Sequence, residues 1–131
     1  LSALKTLAQQ QKADGSWKQE QAATASAVLA FLRAGYTHLS KGEIDGSVIK
    51  RGLEWLIACK VFGSPTDRLL ATLALVEAYR LTGAEILKDP AQRALDSVSK
   101  VVSGLNPIQF GYAAACLKSA REAGLRPRAG R

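Results

Sequence analysis

The sequence predicts an all-α protein of three consecutive helical hairpins, about six helices in 131 residues. Three observations carry this. Apolar side chains recur at spacings of three and four, and no segment alternates in the two-residue rhythm of a strand. Capping residues precede proline at Ser64-Pro65, Asp89-Pro90 and Asn106-Pro107, where the fixed φ of proline suits the first helical position and its missing N–H is no loss. Glycines also fall on one ruler: Gly15 and Gly35, Gly63 and Gly83, and Gly104 and Gly124 each lie 20 residues apart. Successive units are offset by 48 and then 41 residues, a period at which helical hairpins stack into arrays or rings.

Capping chemistry places the first helix over residues 2–12 and the second over 19–34, with a capping side chain expected at each start and glycine at most ends. The third is expected over 46–60 after the Asp45-Gly46 turn, and the fourth over 65–81, stopped by Thr82-Gly83. A short helical turn fits 84–88. The fifth helix is expected to begin at Pro90 and run to 102, and the sixth to span 107–123. Gln92 and Gln109 stand three residues after Asp89 and Asn106, the spacing of a capping box. Residues 36–44 read as an exposed connection holding His38 and Lys41, and residues 126–131 as a frayed basic tail. The expected units are 1–40, 41–88 and 89–125, one domain in all.

The first helix of each unit bears an apolar stripe: Leu4 and Leu7, Leu53 and Leu56, Leu95 and Val98. The second is rich in alanine, which lets helices approach closely. The composition is 47% hydrophobic and 22% charged, so the chain is expected to bury a substantial core rather than remain disordered. No apolar run is long enough to span a membrane. The chain contains no methionine, so a targeting segment ahead of Leu1 and the compartment are both left open.

The formal charge is +7, and Arg126, Arg128 and Arg131 supply part of it from the tail. Elsewhere signs alternate along helices, as in Lys50, Arg51 and Glu54, the pattern of solvated faces. Without interleaved exposed aromatics this is a weak nucleic-acid footprint, and nucleic acid is not an expected partner. Cys59 and Cys116 sit among alanines and leucines and read as small buried hydrophobes, with a disulfide open only if their helices bring them together.

The stretch from Ala3 to Trp17, with Leu4, Leu7, Gln11 and then Asp14-Gly15-Ser16-Trp17, resembles the QW motif of squalene and oxidosqualene cyclases. Gly35-Tyr36-Thr37-His38, Gly52-Leu53-Glu54-Trp55-Leu56 and Ala71-Thr72-Leu73-Ala74-Leu75 widen the resemblance to prenyltransferase and squalene-cyclase-like repeat proteins, over nearly the whole chain. The resemblance implies an α/α-toroid-like array, with inner and outer helices alternating. Gln11 and Trp17 would tie one outer helix to the next, with Asp14 and Gly15 in the turn between them. The later units lack this pair. A full ring of this kind takes about twice as many hairpins, so three imply an arc, an incomplete domain or half of a dimer.

Chemistry is sparse. A cyclase of this kind needs an aspartate-rich cluster that includes a polarised acid. The nearest carboxylates, Glu43 and Asp45, stand before a helix, where acids suit the positive end of its dipole. A prenyltransferase needs zinc held by Asp, Cys and His, and His38 has no ligand spacing to either cysteine or to Asp67. No nucleophilic triad or phosphate loop is present. No catalytic, metal or cofactor residue is therefore assigned. Most aromatics read as core, while Phe110 and Tyr112, early in an inner helix, read as a pocket rim.

The expected function is a non-catalytic helical-repeat module that binds a protein partner or an apolar ligand and associates with itself through open helix faces. The alternative is a fragment of a terpenoid cyclase or prenyltransferase whose catalytic residues lie outside this chain.

Overall fold

The computed structural model describes residues 2–59 and 61–128. They form α1 (Ser2–Gln9), α2 (Gln21–Arg33), α3 (Gly46–Ala58), α4 (Pro65–Thr82), α5 (Glu85–Ser97) and α6 (Pro107–Glu122), with two 3₁₀ turns at Val98–Lys100 and Val102–Gly104. No strand occurs among the described residues, and the protein is all-α. Lys60, where the third helix was expected to stop, lies outside those residues, as does Arg131.

Helix α4 is the centre of the packing. It lies between α2 and α6 and carries α5 on a further side, while α3 packs more extensively on α2 than on α4. Ala71, Thr72, Ala74 and Val76 of α4 are fully enclosed, as are Ala25 and Val28 of α2 and Cys116 of α6. Small side chains at these crossings bring the helix axes close. Leu53 and Leu56 of α3, and Leu87, Ala91 and Leu95 of α5, present the stripes that cover this row from one side.

Hydrogen bonds at the N-termini fix the direction of the row. Gln21 at the start of α2 donates to Val61 O at 2.8 Å and accepts from Gly63 N at 2.9 Å, while the Ala22 amide donates to Asp67 Oδ1 at 3.0 Å. On the other side Gln109 Nε2 donates to Thr66 Oγ1 at 2.9 Å. The starts of α2, α4 and α6 therefore adjoin, and the three helices run the same way.

Several expected boundaries shift for identifiable reasons. Helix α2 starts after residue 19 because Lys18 and Gln19 are left-handed, with φ of 59° and 56°. Its N-cap, Glu20, makes no side-chain capping bond, and Asp67 from α4 supplies an acceptor instead. Helix α5 begins at Glu85, so Asp89 is not its cap and Pro90 lies inside it. Burial of Leu87 in line with Ala91 and Leu95 extends the apolar stripe one turn earlier. The main-chain bond that Pro90 cannot make is lost beside the exposed Ile86. Gln92 forms no capping box and bonds Asp96 and Arg126 O instead.

The caps at Ser64 and Asn106 form as expected, with Gln109 completing a capping box. Gly83 ends α4 in the left-handed conformation. The connection over 36–44 is not wholly exposed, because Ile44 is a core residue and His38 is half-buried. The tail is anchored as far as Arg128, through Asp96. Both cysteines are free thiols, Cys116 buried and Cys59 half-buried at the end of α3.

Candidate functional site

The aligned row of α2, α4 and α6 leaves a groove along one face. Its wall from α2 is Ser26, Leu29, Ala30 and Arg33, and its wall from α6 is Ile108, Gly111, Tyr112 and Ala115. Both sets follow the i, i+3, i+4, i+7 spacing that lines one face of a helix. Leu70 and Leu73 of α4, one turn apart, also line it. The volume is about 540 Å³, within the range of small-ligand sites.

The lining is apolar with few polar groups. Leu29, Leu70 and Leu73 are buried, Tyr112 is half-buried, and Ile108 is 69% exposed. Arg33, in the last turn of α2, is the one charged residue among those lining the groove. Gly111 leaves space on the α6 side, since a Cβ there would meet no atom within 4 Å.

Of the two rim residues expected from sequence, Tyr112 lines this groove and Phe110 does not. Two positions along an α-helix are separated by about 200° of rotation, so the two rings point to nearly opposite sides. Phe110 is 52% exposed and shares its side of α6 with the exposed Ala114 and Leu117. Sequence reasoning missed Arg33, Ile108 and the leucines of the groove, although the matching spacings in α2 and α6 were a readable signal.

Gln11, Asp14, Gly15 and Trp17 lie together at a second place, in the loop after α1 where it meets α3. Gln11 Nε2 donates to Gly15 O and Val48 O, each at 2.9 Å, and Gln11 Oε1 accepts from Arg51 Nη2 at 2.8 Å. Trp17 is 4% exposed, with its indole N–H on Leu7 O at 2.8 Å and its ring tilted against Phe31, 6.2 Å between centroids. Its main-chain N–H donates to Thr24 Oγ1 at 2.9 Å. Asp14 accepts from the Ser16 hydroxyl at 2.7 Å and the Ser16 amide at 2.9 Å. These bonds hold its carboxyl below the usual aspartate range. Gln11 bridges the loop to α3 and Trp17 bridges it to α1 and α2, whereas the bonds of Asp14 stay within the loop.

No family model, no curated protein and no solved structure matches this chain.

Acids, the histidine and the thiols elsewhere form no shared cluster among the described residues. Among the described residues no three His, Cys, Asp or Glu side chains come together in a metal-binding group. Glu43 pairs with Lys5 at 3.6 Å, and Asp45 caps α3 by accepting from Ser47 N at 2.8 Å. His38 has its proton affinity lowered by burial and by the charge of Lys50. Burial pushes the Cys116 thiol up to about 12, and its Sγ donates to Leu69 O at 3.3 Å. At such a value the nucleophilic thiolate is scarce at neutral pH.

Proposed function

We propose that this chain is a non-catalytic helical-repeat binding module whose groove between α2, α4 and α6 takes an apolar ligand or the apolar side chains of a protein partner. The groove carries this reading: three helices present aliphatic side chains and one tyrosine to a shared space, and Arg33 stands at its edge to orient a polar end. Burying an apolar ligand there is favourable by roughly 25 cal/mol per Å² removed from water. The resemblance of Gln11, Asp14-Gly15 and Trp17 to the squalene-cyclase and prenyltransferase-like repeats supports an arc of an α/α toroid as the scaffold, with the groove on its inner side.

A neutral apolar dye such as Nile red tests the groove. The expected result is saturable fluorescence enhancement that Gly111→Leu, which builds into the space, weakens by about tenfold. Unchanged binding in a folded Gly111→Leu protein sinks the reading.

One observation favours the alternative of a piece of a terpenoid cyclase or prenyltransferase. Phe110, Ala114 and Leu117 form an exposed apolar side of α6, where a further inner helix of a larger ring would pack. A second copy of the chain would cover the same side. Native mass spectrometry separates them: a dimer favours self-association, and a monomer favours a missing hairpin.

A further inference from the structure

We propose a second binding site, for a single-chain amphiphile with an anionic head, in the cleft where α3, α4 and α5 meet. The cleft has a volume of about 600 Å³ and is lined on its apolar side by Leu56, Ile57, Phe62 and Leu75. Arg68, Arg93 and Lys100 stand around the same space, with no carboxylate among its lining residues. Among the described residues none of these three cations takes part in an ion pair.

Their placement follows from the fold. Arg68 lies in the first turn of α4 and stacks on the Phe62 ring, 4.9 Å from guanidinium carbon to centroid, so its charge is held beside the apolar wall. Arg93 and Lys100 come from α5 and the following 3₁₀ turn, seven residues apart in sequence. They also edge a smaller neighbouring hollow of about 250 Å³ with Ser97, Asp96 and Arg128. The acid in that hollow is already taken, because Asp96 holds Arg128 by two side-chain bonds of 2.9 and 3.0 Å. Three cationic residues thus line one cleft, and a carboxylate or phosphate monoester complements them. A neutral apolar molecule would leave the cations unmatched, and inorganic phosphate would leave the apolar wall unfilled. An amphiphile satisfies both.

The test uses dodecanoate and dodecyl phosphate as probes, with dodecyltrimethylammonium and inorganic phosphate as controls, measured by calorimetry. A second readout is the rate at which iodoacetamide alkylates Cys59, which lines the cleft. Both anionic amphiphiles are expected to bind, to slow alkylation of Cys59, and to lose affinity about tenfold in Arg93→Gln/Lys100→Gln. Lys118→Gln/Arg121→Gln removes the same net charge from an exposed part of α6 and is expected to leave affinity within about twofold. If only dodecyl phosphate binds, the carboxylate source is excluded and the phosphate source stands. Equal binding of the cationic amphiphile, equal loss in the two double variants, or no binding by either anionic probe overturns the proposal.

Discussion

Asp96 and Arg128, 32 positions apart, are joined by three hydrogen bonds: the Arg128 amide to Oδ1 at 2.8 Å, and its Nε and Nη2 to Oδ2 at 3.0 and 2.9 Å. This pair fastens the C-terminal segment across α5. The Asp96 side chain is nearly enclosed while that of Arg128 is more than half exposed, so solvent screens the guanidinium. Arg128→Ala is expected to lower unfolding free energy by about 1 kcal/mol, measured by chemical denaturation.

The same pair predicts a pH dependence. Burial raises the Asp96 carboxyl, but the bonds from the Arg128 main chain and guanidinium and from Gln92 outweigh it and bring the group below its ordinary value of 3.8. An acid with a lowered folded value stabilises the fold at pH above the unfolded value and loses that contribution as pH falls through the folded one. The stability difference between wild type and Asp96→Asn is therefore expected to be constant near neutrality and to shrink below pH 3.8. Denaturation at a series of pH values checks it.

Where the loop after α1 meets α3, Gly15 has φ of +98°, and a Cβ there would lie 2.5 Å from Arg51 O. Backbone strain and collision combine, so Gly15→Ala is expected to cost more than about 2 kcal/mol. Gln11→Ala leaves two carbonyls and Arg51 without their partner and is expected to cost about 1 to 2 kcal/mol. Thermal denaturation of both variants measures this, and a Gly15→Ala protein as stable as wild type would contradict the geometry.

Gly111 is the converse case. It sits inside α6 with open space at its Cβ position, so Gly111→Ala is expected to stabilise by about 0.5 to 1 kcal/mol through helix propensity.

The two thiols are expected to separate kinetically. Cys116 is fully buried and its ionisation is pushed up to about 12, whereas Cys59 is half-buried at a helix end. A thiol reagent should consume one equivalent readily in the folded protein and a second only on unfolding.

Local chemistry determined much of this protein on its own. The helical class, the caps at Ser64 and Asn106, and the stop at Gly83 are set by residues within one turn of one another, so they are legible without any partner. Tertiary structure decided the rest. Helix α5 starts before Pro90 because burying Leu87 in line with Ala91 and Leu95 outweighs the lost bond, and α2 takes an N-terminal acceptor from Asp67, 45 positions away. Tyr112 shares its groove with Leu29, Leu70 and Arg33 from other helices, and Phe110 lies off that groove because two helical positions look in nearly opposite directions. Spacing along a chain fixes which residues share a face of a helix. Only packing fixes what that face meets.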